Sequence, residues 1–78
     1  METGDLQPIY AVRAEAVPVT IEAHQLGAQN FRIRFGRGIG WAPKRYTSRD
    51  DVLAALLAMK SYGVAEARAA KKICTPGP

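Results

Sequence analysis

Six basic residues lie between positions 32 and 49 with no acid among them: Arg32, Arg34, Arg37, Lys44, Arg45 and Arg49. Two aromatics, Trp41 and Tyr46, are interleaved with them. Guanidinium groups bind carboxylates and phosphates through two parallel bonds, and neighbouring rings add stacking area. The flanking segments do not share this charge. Residues 1–31 carry Glu2, Asp5, Glu15 and Glu22 against Arg13, a net of −3, and residues 50–78 come to +1. The central block at +6 therefore exceeds the whole-chain charge of +4. Such a footprint attracts nucleic acid or an acidic protein face. A plain solvated surface carries the same signature.

Groups suited to bond-making chemistry are sparse. His24 stands alone in a polar stretch, and Cys74 has no histidine near it in the chain. Asp50 and Asp51 are accounted for by helix capping. No His, Cys and Asp grouping has metal-ligand spacing, so no catalytic residue, no metal and no cofactor is expected. A chain of this size buries only about 60% of its unfolded surface, too little for a core plus a deep pocket. The expectation is a binding module and not an enzyme. One cysteine cannot form an internal disulfide, which suits a reducing cytoplasm. No membrane span and no signal peptide are expected, since the longest apolar run covers only residues 52–59.

The elements that position these side chains are read from periodicity. Val17, Val19 and Ile21 alternate with Pro18, Thr20 and Glu22, the period of a half-buried strand. Pro18 cannot donate to a ladder, so this strand is expected at an edge, or to begin there. Ile9–Ala14 reads as a separate short strand or as part of the same one. Ala23–Asn30 reads as a loop, with Gly27 and Asn30 as turn residues. Phe31-Arg32-Ile33-Arg34-Phe35 is the clearest strand, apolar on one face and basic on the other. Gly36, Gly38 and Gly40 suit a hairpin turn or bulge. Trp41–Tyr46 reads as the third strand, held to an edge or bulge by Pro43. Strict alternation puts Trp41 and Tyr46 on opposite faces, unless a bulge at Pro43 brings them together.

Ser48 is a good N-cap for the helix that follows, with Asp51 at N3 and two acids facing the helix dipole. Val52, Leu53, Leu56, Leu57 and Met59 form its apolar arc, and Gly63 suits its C-terminal stop. Val64–Ile73 reads as a second, weaker helix. The fold expected is α+β: a three-stranded antiparallel sheet packed against one main helix, with a second short C-terminal helix. Residues 1–78 form a single domain, with 1–8 and 74–78 as flexible ends.

On this framework the candidate partner-binding residues are Arg32, Arg34, Arg37, Lys44, Arg45, Trp41 and Tyr46. Arg32 and Arg34 share a sheet face, and Lys44 or Arg45 joins them if the two basic strands pair. The plainer account pairs Arg32 or Arg34 with Glu22 across the sheet. Reversing Arg32 and Arg34 to Glu is expected to abolish binding and leave the fold intact. Arg68, Lys71 and Lys72 form a secondary basic stripe on the second helix. Ala54, Ala55, Ala58 and Ser61, with Ala65, Ala67, Ala69 and Ala70, suit close helix approach and a homodimer. High helix propensity alone also explains those alanines.

Residues 31–62 run as a basic strand, a glycine hairpin, a second basic strand and a Thr-Ser-Arg-Asp-Asp-capped helix. This layout resembles small phage or mobile-element accessory proteins, in two groups. One is the three-stranded-sheet DNA-binding domains, such as the arm-binding domains of phage integrases, which read DNA with the sheet. The other is the anti-CRISPR-like inhibitors. Pro43 departs from the regular third strand of the DNA binders. The resemblance implies a protein-binding inhibitor or adaptor that opposes a nucleoprotein through its basic sheet face. The alternatives are a DNA- or RNA-binding module using the same face and a homo-oligomeric structural protein.

Overall fold

Four strands form the sheet, in the order β1-β2-β3-β4, each antiparallel to the next. The computed structural model describes residues 7–15, 17 and 19–75. The strands are β1 (Tyr10–Arg13), β2 (Thr20–Gly27), β3 (Asn30–Phe35) and β4 (Gly40–Tyr46). The three-stranded sheet expected from sequence is thus corrected to four, because Ile9–Ala14 supplies a strand of its own. The chain reverses between β1 and β2, and the Ala14 N–H donates to the Val19 carbonyl at 2.9 Å to close that turn. Pro18 lies outside the described residues. The strand after it begins at Thr20 and is interior, paired on both sides.

The expected loop at Ala23–Asn30 is mostly strand. β2 runs to Gly27, and only Ala28 and Gln29 make the turn before Asn30 pairs back on Gly27. Alanine, histidine and glutamine are weak strand formers, so local preference pointed elsewhere. Burial decided it: Ala23 packs under a helix and His24 packs on the opposite face, both without solvent contact.

The expected hairpin tip between β3 and β4 is there, Phe35 pairing with Gly40, and Gly36–Ile39 winds it into a single helical turn, α1. Glycine is required at its two ends. Gly36 has φ of +58° and Gly40 of +112°, left-handed values that a Cβ would strain. Across β3 and β4 the register slips, with Arg32 opposite Arg45 but Arg34 opposite Trp41. One residue on β3, Ile33, is matched by three on β4, Ala42, Pro43 and Lys44, so β4 gains two residues in a bulge. An even number of residues is gained, so alternation survives the bulge. Trp41 and Tyr46 sit on opposite faces.

Ser48 caps α2 (Arg49–Ala58), its hydroxyl accepting from the Asp51 N–H at 3.1 Å. Val52 and Leu56 are fully buried against Val12, Ile21, Ala23, Phe31, Ile33 and Phe35. Each such side chain contributes about 1.5–3 kcal/mol relative to exposure. Leu53 and Met59 are half-buried, whereas Leu57 faces water. A 3-10 turn, Met59–Ser61, ends this helix before Gly63. Gly63 therefore does not stop α2. It begins α3 (Val64–Ile73), and the Glu66 carboxylate reaches back to accept its N–H at 2.9 Å. Ala70 is the one fully buried residue of α3 among those described. Beyond α3, Cys74 enters the core and Thr75 pairs with Trp41 at the β4 edge.

Candidate interaction face

The two sheet faces differ completely. One carries the core and both main helices. The register assigns the other face Ala11 and Arg13 from β1, Thr20, Glu22 and His24 from β2, Arg32 and Arg34 from β3, and Trp41 and Arg45 from β4. One row across the sheet reads Ala11, Glu22, Arg34, Trp41, and the next reads His24, Arg32, Arg45.

Its centre is a tight cluster. The Trp41 ring reaches across β3 to meet His24 on β2, with centroids 5.0 Å apart in an edge-to-face arrangement. Trp41 is 3% exposed and His24 is 1% exposed. The guanidinium carbons of Arg34 and Arg32 lie 5.3 and 5.7 Å from the indole centroid, close enough for cation–π attraction. Arg34 donates through Nε and Nη2 to Glu22 Oε1, at 3.1 and 2.8 Å. Arg32 donates through Nε and Nη2 to the Ala42 carbonyl, at 3.3 and 2.8 Å. The bulge takes Ala42 out of the regular ladder, and Arg32 satisfies its carbonyl.

Glu22 holds this cluster together. Its Oε1 also contacts His24 Nε2 at 2.8 Å. Burial works against the carboxylate, but the bonds from His24 and Arg34 and their charge outweigh it. The carboxyl stays below its ordinary value of 4.5. His24 Nδ1 is buried without a hydrogen-bond partner. No group of three or more His, Cys, Asp or Glu among the described residues could hold a metal ion. The carboxylate and both arginines are committed to one another or to backbone.

No family model, curated protein or solved structure matches the chain.

The residues singled out in the sequence separate into distinct places. Arg32, Arg34 and Trp41 come together, and Arg45 stands beside Arg32, exposed. Lys44 sits in the bulge with its Nζ 5.4 Å from the Tyr46 ring centroid. Tyr46 is on the helix side opposite Phe31, where burial and neighbouring Tyr62 push its hydroxyl pKa up. The Arg37 side chain lies outside what the structure describes. Arg68, Lys71 and Lys72 are exposed on α3 and do not join the sheet face. Among the described residues, no helix is long and apolar enough to cross a membrane.

Sequence reasoning gave Glu22 only a pairing role and placed His24 in a loop. The signal for both was the alternation continuing past Ile21: Glu22-x-His24 repeats the spacing of Arg32-x-Arg34 across the hairpin. Arg13 was also passed over as a face residue, because its strand was undecided. The structure adds a cost to reversing Arg32 and Arg34 that the sequence did not show. Both pack on Trp41, and Arg34 answers the Glu22 charge, so reversal breaks the cluster itself.

Proposed function

We propose that this domain is a non-catalytic adaptor or inhibitor that docks an acidic protein surface on the sheet face opposite its helices. The observation that carries the proposal is the exposed pair Arg13 and Arg45 on either side of the partly buried Arg32 and Arg34, which pack on Trp41. Each of the two packed arginines uses Nε and Nη2 internally, and Nη1 has no partner among the described residues. Side chains already held in place lose little entropy when a carboxylate meets them. Arg is also among the residue types that most often dominate protein interfaces. Arg13 and Arg45 stand roughly 20 Å apart by strand spacing and rise, a separation that suits a partner surface more than a single small ligand.

The same geometry weakens the nucleic-acid alternative. An arginine that reads a groove must extend from the sheet, whereas Arg34 lies against Glu22 and the indole. Counting Arg13, Arg32, Arg34 and Arg45 against Glu22 leaves this face at +3. In the anti-CRISPR-type form of the proposal, the partner is a nucleoprotein whose acidic protein surface this face covers.

The test uses Arg13→Glu with Arg45→Glu, both exposed and outside the cluster. Wild-type protein as bait captures a partner that then binds saturably in purified form, and the double variant loses that binding with unchanged circular dichroism. A partner held equally by both proteins refutes the sheet face. Retention of a short DNA duplex at about 50 mM salt, with log affinity falling linearly against log salt, replaces this reading with the nucleic-acid one.

A further inference from the structure

α3 leaves a groove open along one flank. Its floor is made by Val17 and Val19 from the β1–β2 connection, Ile39 of α1, and Val64 and Ala67 of α3. Arg68 and Lys71 form its wall, and the space is about 380 Å³. Val64, Arg68 and Lys71 fall at i, i+4 and i+7, so they line one stripe of the helix. Val64 is 57% exposed, an apolar side chain left in water where α3 could have turned it inward.

Charge on this groove has one sign. No acid is among its described lining residues, and neither Arg68 nor Lys71 has an ion-pair partner among the described residues. Glu66, the acid of α3, is turned back onto the Gly63 N–H. Burial of the exposed floor would favour apolar side chains, while the wall selects negative charge beside them. A free amphiphile fits poorly, since small-ligand sites enclose 70–90% of their ligand and this groove is wide-mouthed. A peptide is not so limited, because only its anchor side chains need cover. Without an aromatic in the lining, stacked bases gain nothing here.

We infer that the α3 groove docks an acidic peptide segment of a partner protein, with apolar side chains on the Val19–Ile39–Val64 floor and carboxylates on Arg68 and Lys71. This site lies on the helix side of the molecule and stands or falls separately from the sheet face.

The experiment titrates the full chain with a fluorescein-labelled peptide in which leucine alternates with glutamate. Poly-glutamate and the matching leucine–lysine peptide serve as controls, and amide NMR maps the site. The expected result is saturable binding with shifts centred on Val64, Ala67, Arg68 and Lys71. Poly-glutamate should bind at least about tenfold more weakly, having no apolar anchor. Arg68→Glu with Lys71→Glu should weaken the leucine–glutamate peptide by about tenfold or more. Both positions are exposed, so circular dichroism stays unchanged. The Arg13→Glu, Arg45→Glu variant should bind it like wild type, which separates this site from the sheet face. Absence of saturation up to about millimolar peptide, equal binding of either control, shifts mapping elsewhere, or indifference to the α3 reversal each overturns the inference.

Discussion

Replacing Glu22 with Gln removes one charge from the sheet-face cluster while keeping its shape. Glu22 Oε1 accepts from Arg34 Nε and Nη2 and meets His24 Nε2, at 3.1, 2.8 and 2.8 Å. Bonds to a charged acceptor are worth about 1.5–3 kcal/mol, against about 0.5–1.5 kcal/mol for neutral ones. Breaking a fully buried pair costs about 3–5 kcal/mol. Here the Arg34 and Glu22 side chains retain 12% and 17% of their exposure, so solvent screens part of that loss. The expected destabilisation is about 2–3 kcal/mol at pH 7. In urea, with a slope near 1 kcal/mol/M for a domain this small, the midpoint falls by about 2–3 M. Trp41, the single tryptophan, reports the transition by fluorescence. The folded-state pKa of Glu22 is depressed, so its contribution is present above the unfolded value of 4.5 and lost as pH falls through the lower folded value. The gap between wild type and Glu22→Gln is therefore widest near neutrality and closes in acid. A gap below about 0.5 kcal/mol, within ordinary surface-mutation scatter, or one equal at neutral and acid pH, refutes this account of the cluster.

Trp41→Ala empties the centre of the same face and should cost about 3–5 kcal/mol, enough to leave a domain of this size barely folded. Thermal unfolding followed by far-UV circular dichroism checks this, and a Tm within about 4 °C of wild type contradicts it. Cys74 is buried, and burial raises its thiol pKa against the opposing charge of Arg32. Alkylation near pH 8 should run at least about tenfold slower in native protein than in urea, since the thiolate forms and is reached only on opening. Equal rates would place the thiol at the surface.

Where side-chain pattern and local preference agreed, the fold was legible. Phe31–Phe35 alternates without exception, and Ser48 with Asp51 marks the start of α2, so both elements sit where their residues put them. Val64–Ile73 is helical as its composition suggests. Agreement failed where burial overrode propensity. Ala23 and His24 extend β2 because each fills a space that only the assembled sheet creates, one beneath α2 and one beside Trp41. The glycines of Gly36–Gly40 mark the hairpin connection of β3 and β4, but nothing local says that its tip winds into a helical turn. The basic face was legible as a set of residues but not as a state of charge. Arg34 is answered by Glu22, ten or more positions away in sequence, and that pairing exists only once β2 is known to run past Ile21.

The bulge at Ala42–Lys44 has a consequence for how two copies of this molecule meet. An open strand invites the same strand of another chain to continue the sheet without end. At β4, Pro43 offers no N–H, the bulge distorts the spacing, and Thr75 already holds the Trp41 N–H and carbonyl at 2.7 and 2.9 Å. A second chain approaching there finds its template spoiled. At the other border β1 is only four residues long and ends on a cation, Arg13, and short length and edge charge both discourage edge-to-edge pairing. The kink that ties Arg32 to backbone thus also works against extension of the sheet at β4, in a domain that exposes Leu57, Val64 and Ile73.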